Sequence, residues 1–397
     1  MKSVQITNSS SGSIGMISRS ISEALKGAGI ENRIYITYQA PVGTDTFKYA
    51  SDREVKWNSL KSHVSGNYGF HSRRITERLI NELESYAPDL VHIHNIHGHD
   101  VNVELLFQYL QTKQIPVIYT FHDCWAFTGY CPHYAYAGCE QWKTECNTCP
   151  IRKRFSFFFD HSSLNFQKKQ RTLEPMNQLT IVTPSQWMKD QVGQSFLRDK
   201  QVTVIPNGID LQVFHPASSD IKKELGITKQ YVLLNIANQI SSRKGYDDLV
   251  ELSARLPEEF QLVMLGLKEQ EISELPEGIL GLQRVSDTET LVKLYSMADA
   301  FVNPTHEDTF PTVNIESIAC GTPVVTYQTG GSPEIIDANT GKVVKEYDVE
   351  GLTTAVIDVA EHTADYSAAC RARALALFDK ERCLNRYLEL YKQLLNH

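Results

Sequence analysis

Short runs of β-branched and aliphatic residues alternate along this chain with stretches whose apolar positions recur every three to four residues. The first pattern predicts strands at 4–6, 33–37, 90–94, 117–121, 179–182 and 202–205. Between the first two, Ile14, Ile17, Ile21, Ala24, Leu25 and Ala28 fall on one helix face, and Gly27-Ala28-Gly29 supplies a stop. Pro206-Asn207-Gly208 interrupts the series, which then restarts with strands at 231–237, 261–265, 300–303 and 323–326 and helices at 246–256 and 287–297. Residues 379–395 read as a last helix, with Leu384, Tyr387, Leu388, Tyr391 and Leu395 on one side. Strand–helix–strand order implies parallel sheets covered on both faces. The expectation is an α/β protein of two doubly wound, Rossmann-like domains, 1–207 and 208–378. A C-terminal helix over 379–397 is expected to pack back on the first. Ligands of such sheets lie outside the carboxyl ends of the strands, so the cleft between domains is the default site.

Composition narrows the class. With 397 residues, 42% hydrophobic and 22% charged, the chain has apolar material for two cores. The 39 Lys and Arg against 47 Asp and Glu give a net charge of −8, a poor match for nucleic acid. No apolar run reaches the length of a membrane-spanning helix, and the first residues lack a signal-peptide core. Both point to the cytoplasm, where the eight cysteines are expected as thiols or metal ligands rather than disulfides.

The chemistry concentrates between Ala300 and Ile336. A strand ending at Asn303 leads into a loop with Glu307 and Asp308, and a helix starts near Thr312. The start of that helix offers N–H groups and a positive dipole end to a phosphate. The loop carboxylates suit sugar hydroxyls, and Glu316, one turn into the helix, suits a ribose. A second loop, Thr329-Gly330-Gly331-Ser332-Pro333-Glu334, adds another backbone-lined cradle ahead of a helix start.

These segments resemble the donor site of family 4 glycosyltransferases, retaining enzymes of the two-domain GT-B fold. The family pattern, a carboxylate followed two positions on by Phe and eight positions on by Glu, then A-C-G-x-P-V-V and G-G-x-P-E, is matched by Asp308, Phe310 and Glu316, by Ala319-Cys320-Gly321-Thr322-Pro323-Val324-Val325, and by Gly330-Gly331-Ser332-Pro333-Glu334. Further matches run through Pro88-Asp89-Leu90-Val91-His92-Ile93-His94, Phe121-His122-Asp123, Thr183-Pro184-Ser185, Pro206-Asn207-Gly208 and Arg243-Lys244-Gly245. The resemblance implies that Asp308 binds the donor sugar, Glu316 the ribose, and Lys244 the diphosphate, assisted by the backbone of Thr312 and Val313. It gives Arg284 and Val285 to the base edge, His122 to the donor sugar across the cleft, and Gly12 and Gly15 to the neighbourhood of the diphosphate and acceptor. The chain departs from the pattern in three places. Asp308 replaces a Glu, Gln239 stands where the family has an Arg five residues before the Lys, and the glycine loop carries single glycines. Arg243 is the candidate to replace the missing charge.

Two other features call for a role. Cys131, Cys139, Cys146 and Cys149 lie within 19 residues, in a Cys-rich insertion at about 124–150. Four thiolates so spaced could close a structural zinc site; the alternative is reduced cysteines that only pack. His92, His94, His97 and His99 read as strand-end residues facing a cleft rather than as metal ligands. From Ile151 to Arg171, six basic residues stand against Asp160, and Arg152 to Phe159 carries four Phe. This suits an anionic membrane surface, or else an amphipathic helix with its Phe face in the core.

The expected function is that of a retaining hexosyltransferase. It would move a sugar from a UDP- or GDP-sugar to a growing, lipid-linked glycan acceptor of cell-surface polysaccharide, at the inner face of the membrane and with no cofactor required for catalysis. A nucleotide-sugar epimerase or phosphorylase of the same architecture, and a zinc-binding scaffold without catalysis, are the alternatives. Donor sugar, linkage and oligomeric state leave no mark that can be read in the sequence.

Overall fold

The computed structural model describes residues 1–97, 99–236 and 240–395. The chain divides into two compact units, one formed by residues 1–205 with 384–397, the other by residues 206–383. The expected break at 207/208 and the return at 379 are thus shifted by two to five residues.

The first unit holds a seven-stranded sheet of β1 (Lys2–Ile6), β2 (Glu31–Ile36), β3 (Thr46–Lys48), β4 (Leu90–Ile93), β5 (Val117–Thr120), β6 (Leu179–Thr183) and β7 (Gln201–Val204). All pairings are parallel, in the order β3-β2-β1-β4-β5-β6-β7. The chain reverses its direction of growth between β1 and β4, and their carboxyl ends lead to Gly12 and to the histidine stretch after His94.

The second unit holds six parallel strands, β8 (Tyr231–Ile236), β9 (Phe260–Leu267), β10 (Ile279–Gln283), β11 (Ala300–Asn303), β12 (Val324–Tyr327) and β13 (Gly341–Val344). Their order is β10-β9-β8-β11-β12-β13, so the switch point lies between β8 and β11. The loops after β8, β11 and β12 carry Arg243-Lys244, Glu307-Asp308 and Thr329–Ser332.

Five helices concern function: α1 (Gly12–Gly27), α2 (Asp52–Ser65), α3 (Tyr246–Arg255), α4 (Thr312–Ala319) and α5 (Lys380–Leu395). Helix α5 follows a bridge between Ile209 and Asp379 and then lays its apolar face on the first unit. Its Leu384, Tyr387, Leu390 and Tyr391 form one cluster with Ile21, Leu25, Leu90, Ile118 and Val182. Tyr391 is fully buried, and its hydroxyl meets Nδ1 of His92 at 2.9 Å. His92 is therefore a core residue whose polar atoms are satisfied, with Nε2 2.8 Å from the Thr120 hydroxyl.

Candidate active site

In the second unit, Lys244 ends a single 3₁₀ turn after β8, and Gly245 then starts α3 in the left-handed region (φ 79°). A Cβ on Gly245 would lie 2.1 Å from the Pro304 carbonyl oxygen, so glycine alone allows the turn to approach the loop after β11. That approach sets Lys244 Nζ 2.6 Å from Asp308 Oδ2, and it also donates to the Glu307 carbonyl at 3.3 Å. Arg243 lies 3.9 Å from the Glu307 carboxylate, while its own carbonyl accepts the His306 N–H. Two cations thus face two carboxylates.

The loop is held from below. His306 is buried between Asp248 (Nε2, 2.7 Å) and Glu346 (Nδ1, 3.0 Å), and these carboxylates hold its imidazole pKa above the ordinary value against the effect of burial. Its ring stacks on Tyr347 at 4.2 Å. From the other side, Gly331 N–H donates to the Asp308 carbonyl at 3.2 Å, and a Cβ on Gly330 would sit 1.7 Å from that oxygen. The Asp308 carboxylate also accepts the Phe310 N–H at 3.1 Å.

Helix α4 begins directly after this loop. Its N-cap position is Pro311, with no side-chain cap, so the first N–H groups, those of Thr312 and Val313 among them, have no intrahelical acceptor. One turn on, half-buried Glu316 accepts a 2.8 Å hydrogen bond from the Tyr295 hydroxyl, while burial raises its carboxyl pKa. The arrangement offers donors and positive charge to an anion, with carboxylates for hydroxyl groups beside them.

Phe310, which the motif match groups with the expected donor-binding residues, packs its ring in the second unit's core, 6.0 Å from the Phe378 ring, and only its backbone amide takes part in the loop. Arg284 and Val285 follow β10, the Arg exposed and the Val half-buried. Gln239 lies outside the described residues.

In the first unit, Gly12 (φ 70°) and Gly15 lie in the first turn of α1. A Cβ on Gly15 would meet the Ser10 backbone at 2.3 Å, so this glycine lets the loop after β1 fold against the helix. His122 follows β5, half-buried, and its Nε2 is 3.1 Å from Nδ1 of buried His94. Burial pushes the His122 pKa down to about 4. His97 pairs with Asp123 at 2.8 Å, and that partnership raises the imidazole and lowers the carboxyl to about 2, both against desolvation.

Cys131 and Cys146 are buried, Cys139 and Cys149 half-buried, all free thiols. Cys146 Sγ accepts the Gly129 N–H at 3.2 Å. Among the described residues no group of three or more His, Cys, Asp or Glu is arranged to hold a metal ion, although the four thiols lie close enough to interact: burial first, and then the neighbouring cysteines, raise the thiol pKa of Cys131, Cys146 and Cys149. The basic-aromatic stretch divides in two: Arg152–Arg154 form one 3₁₀ turn and Phe157, Phe158 and Phe159 are more than half exposed, whereas Ser162–Leu173 is an α-helix that buries Phe166. Lys169 leaves the basic group altogether. It is buried, donates to the Trp125 and Thr128 carbonyls at 2.7 and 2.9 Å, and burial lowers its pKa to about 7.

Sequence reasoning missed His306, Tyr295 and Gln5, which act through partners 21 to 89 positions away. Only the family motifs on either side marked their neighbourhoods.

With this geometry in view, comparison with known proteins places the chain. The model of the family described as Glycosyltransferase Family 4 matches residues 15–213, and that of Glycosyl transferases group 1 matches residues 218–375. The first covers half of the chain, which thus belongs to glycosyltransferase family 4. Among curated relatives, the chain is 22% identical to WcaC of Escherichia coli K12, over 83% of this chain and 80% of that one. The name of WcaC assigns it to colanic acid biosynthesis as a glycosyl transferase. It is 26% identical to alpha-maltose-1-phosphate synthase of Mycolicibacterium smegmatis over 54% of this chain, and the match spans 62% of that relative's length. The fold matches sucrose-phosphate synthase of Thermosynechococcus elongatus with a TM-score of 0.72 at 19% identity, covering 100% of this chain and 99% of that one. It also matches HepE of Anabaena, in complex with UDP-glucose, with a TM-score of 0.69 at 14% identity, covering 99% and 100%. These likenesses establish the two-domain GT-B fold.

Proposed function

We propose that this glycosyltransferase moves a sugar, with retention, from a UDP- or GDP-sugar to a growing, lipid-linked glycan of cell-surface polysaccharide at the inner face of the membrane. The observation that carries the reading is Lys244 held 2.6 Å from Asp308, beside the uncapped start of α4. In this reading Lys244, Arg243 and the helix N–H groups take the diphosphate and stabilise the charge that develops as the sugar–phosphate bond breaks. Asp308 accepts from sugar hydroxyls, and Glu316 from the ribose. The acceptor hydroxyl forms the new bond on the face the diphosphate leaves, and its proton passes to a departing phosphate oxygen. WcaC's name and the UDP-glucose held by HepE support the glycan and nucleotide-sugar parts.

The membrane part rests on one surface of the first unit. The Phe157 N–H donates to the His63 carbonyl of α2 at 2.7 Å, and the two rings lie 5.4 Å apart. Helix α2 exposes Trp57, Leu60 and Val64 at helical spacing, with Lys56 and Lys61 beside them. The exposed Phe157–Phe159 with Arg152, Lys153 and Arg154, joined to α2 at His63, combine basic and large apolar side chains in a way suited to anionic lipid.

A thermal-shift series with nucleoside diphosphates and their sugar conjugates tests the donor reading. Saturation at about a hundred times Kd adds about 2.7 kcal/mol of apparent stability. A shift with one base names the donor nucleotide, and NMR of the anomeric product then reads retention. No shift with any nucleotide would overturn the reading and leave a non-catalytic scaffold.

A further inference from the structure

A buried relay of hydrogen bonds in the first unit runs from the backbone of α1 to His122, and each link dictates the next. Gln5 on β1 is fully buried, and its Nε2 donates to the Ser18 carbonyl at 2.9 Å. A carbonyl oxygen only accepts, so the amide is oriented with Oε1 on the other side. There Oε1 lies 2.9 Å from His94 Nε2. That nitrogen must therefore carry a proton and donate.

His94 is 1% exposed, and burial, with His92 4.1 Å away ring to ring, holds its pKa well below the ordinary value. It is neutral, so the proton on Nε2 is its only ring proton, and Nδ1 is an acceptor. The His122 Nε2 that meets this Nδ1 at 3.1 Å must then be the donor. His122 is neutral too above about pH 4, so its own Nδ1 carries a lone pair.

We infer that Gln5 and His94 are positioning residues that lock His122 in the Nε2–H tautomer, making its Nδ1 a hydrogen-bond acceptor. An acceptor nitrogen suits a sugar hydroxyl, which donates, and is unsuited to a phosphate oxygen or carboxylate, which cannot. Gln5 thereby selects the chemical class His122 recognises, although its own side chain is buried. The tautomer stands on the relay and on the burial that keeps both rings neutral, whereas its use toward the donor sugar rests on the function proposed above.

The test uses the full chain labelled with ¹⁵N-histidine, with the His122 signals assigned by their loss in His122→Gln. Long-range ¹H–¹⁵N correlation at pH 7 reads the tautomer directly. His122 is expected with a protonated Nε2 and a bare Nδ1. A protonated Nδ1, or a mixture of the two forms, overturns the inference without any variant of the relay. In Gln5→Leu, checked for fold by circular dichroism, the His122 signals should move towards a tautomer mixture. Turnover should then fall about tenfold, the worth of one hydrogen bond, with the nucleoside diphosphate Kd unchanged. An unchanged His122 spectrum in a folded Gln5→Leu protein also overturns the inference. If the tautomer is as stated but His122→Gln transfers sugar normally, the relay stands and the assignment of His122 to the sugar falls.

Discussion

Lys244 and Asp308 are 64 residues apart in sequence and 2.6 Å apart in space, so the cation assigned to the diphosphate is already paired with the carboxylate assigned to the sugar. Arg243 and Glu307 repeat the arrangement at 3.9 Å. The four side chains sum to zero formal charge, and an incoming diphosphate must share Lys244 with Asp308. Asp308→Asn removes that competition while keeping the shape. Nucleoside diphosphate is expected to bind severalfold more tightly to the variant, because a released Lys gains a charge-assisted partner. Turnover of the sugar donor should fall by about tenfold or more, because the sugar loses a charged acceptor. Calorimetric titration with the diphosphate and a transfer assay read the two quantities. Weaker nucleotide binding in Asp308→Asn would mean that the carboxylate organises Lys244 rather than competes for it.

The clamp behind this pair depends on glycine. Gly330 has φ 53° and leaves no room for a Cβ, which would sit 1.7 Å from the Asp308 carbonyl oxygen. Gly330→Ala must push the Asp308 loop away and strain the backbone as well, at a cost of order 1 kcal/mol or more. Gly29→Ala, just past the end of α1, provides the contrast. Its φ is also positive, at 77°, but nothing lies within 4 Å of the added carbon. Both variants should lose stability in urea melts. Only Gly330→Ala should lose nucleotide-induced stabilisation; equal losses in the two would separate the 330–331 loop from donor binding.

The extent to which the fold could be read in advance follows burial. Strands buried on both faces, such as β1, β4, β8 and β11, are apolar enough to be read as runs. The three strands not expected, β3, β10 and β13, are all sheet edges. Their half-exposed residues, as in Gly341-Lys342-Val343-Val344, carry no clear alternation. The site shows the same division. Lys244, Asp308 and Glu316 stand in motifs that share local spacing. What supports them does not: His306 is tied to Asp248 and Glu346, Tyr295 to Glu316, and Gln5 to His94 through contacts that only the folded sheets create. A motif position need not point its side chain at a ligand, as the buried ring of Phe310 illustrates.

Glu316 gives the donor site a measurable pH signature. Burial raises its pKa above 4.5, and the Tyr295 hydroxyl only partly offsets this. Between the ordinary and the raised value, the native state keeps a proton that the unfolded chain has released. Stability from this group is therefore greatest below the ordinary pKa and is lost as pH rises through the folded one. Urea melts of Glu316→Gln from pH 4 to 8 should lack that decline, and Tyr295→Phe should steepen it and cost about 1 kcal/mol through a lost buried hydrogen bond. Parallel pH curves for the wild type and Glu316→Gln would show that the carboxyl titrates alike in both states.

Phe157, Phe158 and Phe159 stand 56%, 67% and 55% exposed, on a segment anchored to α2 through His63. Exposed rings flanked by Arg152, Lys153 and Arg154 predict binding that needs apolar insertion and lipid charge together. Sedimentation with vesicles containing phosphatidylglycerol should capture the protein, and neutral phosphatidylcholine vesicles should capture much less. Raising salt should weaken the capture, since each basic side chain near the surface contributes about 1 kcal/mol that is screened beyond a Debye length. Replacing the three Phe by Ser should abolish capture while leaving the thermal melt and soluble-acceptor transfer unchanged, because their rings are largely outside the core. Trp57→Ala, on the neighbouring face of α2, should weaken capture in the same way if the two segments enter one interface. Capture that is indifferent to lipid charge, or that survives loss of the three Phe, would rule this surface out as the membrane contact.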